Sequence, residues 1–152
     1  MSIPYTKASE ISAELFARMQ GITVANGAET DTGLRVYRGR RNVDETQVPC
    51  AVVIEGNDTP RDRPGRLPSV SITQRFVLAA YVPCDADNPN DAAHAAVRDI
   101  KRAIFKDGGS WGNKVSRVSY QGRDIGPRAD GRPIVIVTVD IDVDYVEDLT
   151  NP

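Results

Sequence analysis

The segment from Pro133 to Asp148 constrains the fold most. Val135, Val137, Val139, Ile141, Val143 and Tyr145 take every second position, and Ile134, Ile136, Thr138, Asp140, Asp142 and Asp144 take the positions between. Successive side chains of a strand turn to opposite faces, whereas a helix would scatter these residues around its axis. The pattern therefore predicts one long final strand. One of its faces is apolar throughout, and the other passes from apolar to acidic along its length.

Such a face needs a covering layer, and two amphipathic helices supply it. Ala8, Ile11, Leu15, Met19 and Ile22 recur at spacings of three and four, with Thr6 or Ser9 placed to cap the helix start. Gly21 followed by Ile22 predicts a Schellman stop in which the glycine turns left-handed, so the helix ends near Gln20. The second helix starts with Asn88 as cap, Pro89 at the first helical position and Asp91 near the positive end of the dipole. Its stripe is Ala93, Val97, Ile100 and Ile104, and Gly108-Gly109 ends it. Between the helices, Leu34 to Arg41 reads as a half-exposed strand with Arg38 and Arg40 on one face and Tyr37, Gly39 and Arg41 on the other. Pro49 introduces Cys50 to Ile54, a short apolar run that suits a strand buried on both faces.

Ser69 to Val82 alternates with Val70, Ile72, Phe76, Leu78, Ala80 and Val82 on one side, and is predicted to hairpin onto the preceding strand. Asn57 to Pro68, with three prolines and one glycine, predicts a long projecting loop instead of regular structure. Val115 to Tyr120 is the remaining strand. The expected fold is a single α+β domain of order α-β-β-β-α-β-β: one mixed, mostly antiparallel sheet of five strands with both helices on one face. The other face must then be solvated or meet another molecule.

Composition narrows the function classes. At 152 residues, 40% hydrophobic and 26% charged, the chain matches an ordinary soluble domain and is too apolar for a disordered one. A net charge of -2 leaves no global basic field to gather nucleic acid. Its apolar runs fall far short of the roughly 20 residues that cross a bilayer, and the N-terminus lacks a signal pattern, so a cytoplasmic chain without membrane contact is expected. Cys50 and Cys84 lie in or beside apolar strand-like runs and are expected to be reduced and structural.

Two charged features stand out. From Ile134 to Pro152 there are five acids and no Lys or Arg. Same-face aspartates stand about 7 Å apart by strand rise, where repulsion in water is only about 0.6 kcal/mol per pair. The stripe is therefore tolerable while wet: as a solvated strand face, as an acidic surface toward a channel or basic partner, or, against the usual loop geometry, as a metal site. The other feature is Arg35, Arg38, Arg40, Arg41, Arg61, Arg63, Arg66 and Arg75, concentrated in the first half of the sheet and its loop. Arginine suits bidentate pairing with carboxylates, so a chain basic on one flank and acidic on another can join copies of itself head to tail. A solvated arginine-rich hairpin is the alternative.

Catalytic signals are weak. His94 is the one histidine and sits mid-helix beside alanines, and a Cys84–His94 pair has no evident third group to orient the imidazole. Gly108 to Lys114 leaves a helix where a phosphate loop would enter one, and reads as a helix stop with Trp111 as a packing or interface anchor. No zinc-ligand spacing is present, and neither a catalytic site nor a cofactor is expected.

The helix with Ile11-Ser12-Ala13-Glu14-Leu15, the Gly33 to Arg41 strand, Pro49-Cys50-Ala51-Val52-Val53-Ile54, the proline-rich hairpin loop, the Asp91 to Lys106 helix and the closing Tyr145-Val146-Glu147 together resemble the tail terminator proteins of long-tailed bacteriophages. The resemblance runs over nearly the whole chain through element order, length and the proline before the central strand. It implies a non-enzymatic virion protein, assembled in the host cytoplasm, that forms a homo-hexameric ring on the head-proximal end of the tail tube. The ring ends tube polymerisation and offers a surface to the head-completion or neck protein, while DNA passes through its lumen without specific binding. Arg38, Arg40, Arg41, Arg61, Arg63, Arg66 and Trp111 are the implied subunit or tube contacts. Asp140, Asp142 and Asp144 are the implied lumen residues, because carboxylates leave a duplex mobile where Lys and Arg would hold its phosphates. Another neck or tail-completion protein, a tail assembly chaperone, or a small hydrolase using Cys84 or an Asp are the competing expectations.

Overall fold

The computed structural model describes residues 6–39, 42–61, 68–126 and 131–152. Its main elements are α1 (Lys7–Gln20), β1 (Val36–Arg38), β2 (Cys50–Arg61), β3 (Ser69–Pro83), α2 (Pro89–Phe105), β4 (Arg117–Ile125) and β5 (Ile134–Asp148), the order expected from the sequence. The strands form one sheet in the order β1-β2-β3-β5-β4, with β1 parallel to β2 and every other pair antiparallel. Among the described residues no helix is long and apolar enough to cross a membrane.

The β5 alternation holds along the strand. Val135, Val137, Val139, Ile141, Val143 and Tyr145 are all buried, and pairing with β3 brings Val70, Ile72, Phe76, Leu78, Ala80 and Val82 onto the same face. Ile11, Leu15 and Met19 of α1 and Ala93, Val97, Ile100 and Ile104 of α2 complete one continuous core there. Each large aliphatic side chain buried this way contributes about 1.5–3 kcal/mol. Ala8 falls outside the predicted stripe and is exposed, while Ser12 is buried and donates to Glu55 Oε1 at 2.6 Å.

Thr6 caps α1, its Oγ1 accepting from the Ser9 amide at 3.2 Å. The left-handed glycine expected at the other end is absent: Gly21 is right-handed, at φ −75°. The Gly21 amide still closes the helix, donating to the Ala17 and Arg18 carbonyls, each at 3.2 Å, and Gly33 packs against that end. The Gly33 amide donates to the Ile22 carbonyl at 2.8 Å, and a β-carbon there would lie 2.6–2.7 Å from the carbonyl oxygens of Met19, Gln20 and Ile22. Asn88 takes the cap position of α2 without a capping side-chain bond, and Pro89 opens the helix as expected.

The predicted loop from Asn57 to Pro68 is corrected at its first half, because β2 runs on to Arg61 and pairs Asp58 through Arg61 with Gln74 through Ser71. Two features make this possible. A register shift between Glu55 and Asp58 absorbs an irregularity beside Gly56. β1 flanks β2 only at Ala51 to Val53, so Pro60 stands on an unflanked strand edge, where a missing N–H is tolerated. The first strand begins two residues later than expected, at Val36, and Gly39 follows Arg38 at φ +81°; Arg40 and Arg41 of the predicted strand lie outside the described residues.

The sheet face away from the helices is divided. Its apolar end carries Tyr81, Ile134 and Ile136, and the β1–β2 connection folds over it, Val43, Glu45 and Val48 lining a cavity of about 350 Å³ with those residues. Gln47 Nε2 donates to the Tyr37 hydroxyl at 3.1 Å, and Arg132 lies 3.5 Å from Glu45, holding that cover in place. The polar end stays open.

Candidate interaction surface

Antiparallel register places the aspartates of β5 directly beside polar residues of β3. Arg75 is opposite Asp142, Thr73 opposite Asp144 and Val77 opposite Asp140. The Arg75 fork meets Asp142 in a bidentate pair, Nε to Oδ1 at 2.9 Å and one terminal nitrogen to Oδ2 at 3.2 Å. This hydrogen bond pushes the Arg75 guanidinium above its ordinary pKa. Thr73 Oγ1 donates to Asp144 Oδ1 at 2.7 Å, and Arg61, reaching across from the extended part of β2, lies 3.4 Å from Asp144 Oδ2. The two carboxylate side chains are 19% and 16% exposed, while the arginines facing them are about half exposed.

The acidic stripe and part of the arginine set, read from the sequence as separate surfaces, therefore meet on one face of the chain. Asp140 alone of the three aspartates has no ion pair among the described residues. The outcome is a charge-compensated ladder in place of a bare acidic wall. Among the described residues, no group of three or more His, Cys, Asp or Glu side chains converges as metal ligands would.

The remaining sequence-predicted residues separate. Arg38 pairs with Val53 on the helix-facing side of the sheet, where its guanidinium lies 3.2 Å from Glu55 and stands 6.0 Å from the Phe16 ring. It does not share a surface with Arg61. Arg40, Arg41, Arg63 and Arg66 lie outside the described residues. Trp111 is corrected from interface anchor to core residue: it is 0% exposed, its Nε1 donates to the Ile104 carbonyl at 3.0 Å, and the Arg18 guanidinium stacks 5.4 Å from its ring. Cys50 is buried, and burial pushes its thiol pKa up, the opposite of what a nucleophile needs. His94 is exposed on α2.

Two buried charges escaped the sequence reading. Arg18 reaches from α1 to the end of α2, donating to the Ala103 carbonyl at 3.1 Å and to both oxygens of Asp107 at 3.2 and 2.7 Å. That hydrogen bonding holds the Asp107 carboxyl at about 2, well below its usual range. Asp99 faces the loop before β1 and accepts the amides of Glu29 and Thr30 at 3.0 and 2.8 Å and the Thr30 hydroxyl at 2.6 Å. Both sit at stripe spacing, Arg18 three residues after Leu15 and Asp99 three after Ala96. A charge on an apolar stripe is the signal that would have found them.

No protein-family model and no curated protein matches this sequence.

Proposed function

We propose that the chain is a ring-forming assembly subunit of the tail-terminator type. In this reading it caps the head-proximal end of a phage tail tube, ends tube polymerisation and presents a surface for joining the head. The observation that supports it is the one-sided sheet. Both α1 and α2 lie on one face, while the polar end of the other face carries an open, charge-compensated ladder, and β2 extends from Glu55 to Arg61 as an exposed arm with no strand on its outer edge among the described residues.

Each part has a use in a ring. The outer edge of the β2 arm, which no strand flanks among the described residues, offers backbone groups to a neighbour, the usual starting point for strand-to-strand joining between chains. On the open face, Arg61 and Arg75 are already committed to Asp144 and Asp142, so they are poor phosphate traps, and Asp140 adds negative charge beside them. A duplex sliding past such a face releases few counterions and stays mobile. Asp140, Asp142 and Asp144, with Arg61 and Arg75 beside them, are accordingly assigned to the lumen side, and Arg38, on the opposite face of the sheet, to a contact with a neighbouring subunit or the tube.

Tube assembly tests the reading. Tail tubes polymerised with this chain present are expected to stop at bounded lengths and to carry stain-excluding caps at one end. Tubes of unchanged length, with the chain left in the supernatant, would overturn it.

A further inference from the structure

A cleft of about 890 Å³ opens where the C-terminal ends of α1 and α2 meet β4. Its walls are apolar, formed in part by Ile22, Ala28, Phe105 and Tyr120, and its rim carries Lys101, Arg102 and Lys106, all exposed. Lys101 Nζ stands 4.5 Å from the Tyr120 ring and Arg102 donates to the Gly27 carbonyl at 3.3 Å, but none of the three meets a carboxylate among the described residues. Arg18, by contrast, is fully engaged by Glu14 and Asp107. The cleft thus combines apolar walls with a cationic rim that no carboxylate pairs among the described residues; Asp99, which also lines it, is taken up by the Glu29 and Thr30 amides and the Thr30 hydroxyl.

The opposite chemistry sits at the far end of the molecule. Val146 and Leu149 are 45% and 52% exposed, and they bracket Glu147 and Asp148. Asp148 Oδ1 takes both bonds from Thr150, at 2.9 and 2.7 Å, and its other oxygen remains for a cation. This end of β5 lies at the start of α1, where Lys7 Nζ donates to the Val146 carbonyl at 2.6 Å. The cleft lies at the other end of the same helix, about 21 Å away by helical rise over 14 residues. Within one subunit the two surfaces therefore point apart.

We propose that the cleft receives the Val146 to Leu149 segment of a second copy of the chain. Leu149 enters the apolar interior beside Phe105 and Tyr120, and the exposed Asp148 faces Lys101, Arg102 and Lys106. Such a contact uses different patches on the two partners, so it is heterologous and builds a closed ring or an open filament according to its rotation. It supplies the subunit joint of the ring reading and rests on that reading for its closure.

Charge exchange tests it on the full chain, by sedimentation velocity over a concentration series. A cleft variant, K101E/R102E/K106E, and a tail variant, D148K, change only exposed side chains, and circular dichroism checks that each folds. Wild type is expected to associate, each variant alone to remain monomeric, and an equimolar mixture of the two to regain the associated mass, because each variant then faces a complementary partner. Assembly of either variant alone to the wild-type mass overturns the contact and leaves the ring reading standing. Open filaments or dimers that obey the exchange keep the contact and overturn the ring. A wild-type chain that stays monomeric throughout overturns the contact.

Discussion

Single residues at the helix ends decide how α1 and α2 are held. Gly33 is one: its missing side chain lets three carbonyl oxygens at the end of α1 approach its backbone, and any β-carbon would meet them at 2.6–2.7 Å. Gly33→Ala is expected to cost about 1–3 kcal/mol as an overpacked site, read as a lower midpoint in chemical denaturation without a change of slope. Asp107 is another. Its folded-state pKa is depressed, so its contribution to stability is complete above the ordinary aspartate value and is lost as pH falls through about 2. Asp107→Asn is therefore expected to be less stable than wild type at neutral pH, with the gap in thermal midpoint closing as the pH is lowered below the ordinary aspartate range; a gap that stays constant would remove Arg18–Asp107 as its source. Neither site was legible beforehand. Gly33 follows a Gly/Asn/Thr-rich stretch that reads only as a turn, and its partner carbonyls belong to a helix whose stop was assigned to Gly21.

At the scale of elements, periodicity located α1, α2, β3 and β5 because each has one face in the core, and a one-residue slip of a strand would expose that whole face. β5 is the clearest case, and α2 follows from Pro89, its stripe and Gly108-Gly109. Boundaries went astray where the deciding neighbour is remote in sequence. Pro60 forbids a central strand but not an edge, and whether β2 is an edge depends on how far β1 runs. The ladder on the open face was missed for the same reason: Arg75 and Asp142 are 67 residues apart, and the β3–β5 register alone brings them together. Because the pair is half exposed on the arginine side, a double-mutant cycle on Arg75→Ala and Asp142→Ala is expected to give about 0.2–1 kcal/mol of coupling. Hydrogen exchange checks the arm. The amides of Glu55 to Arg61, flanked on one side and exposed, are expected to exchange faster than those of Ala51 to Val53, which lie buried between β1 and β3. Equal protection along β2 would mean that the arm is not a separate unit.

For the whole molecule, the described residues leave exposed the outer edge of the β2 arm, the charge-compensated ladder, and the cation-rimmed cleft whose chemical complement sits at the opposite end of α1. In the proposed contact, association would bury Leu149 of one copy against Phe105 and Tyr120 of the next. That the chain works as a closed ring is the central claim, and native mass determined over a concentration series tests it most directly, with negative-stain imaging of the largest species. The expected result is one closed assembly of about six subunits, annular in projection, whose mass stops growing with concentration because the last interface closes the ring. A mass that rises without limit, or one that stays at a single subunit at every concentration and in the presence of tube ends, would contradict it.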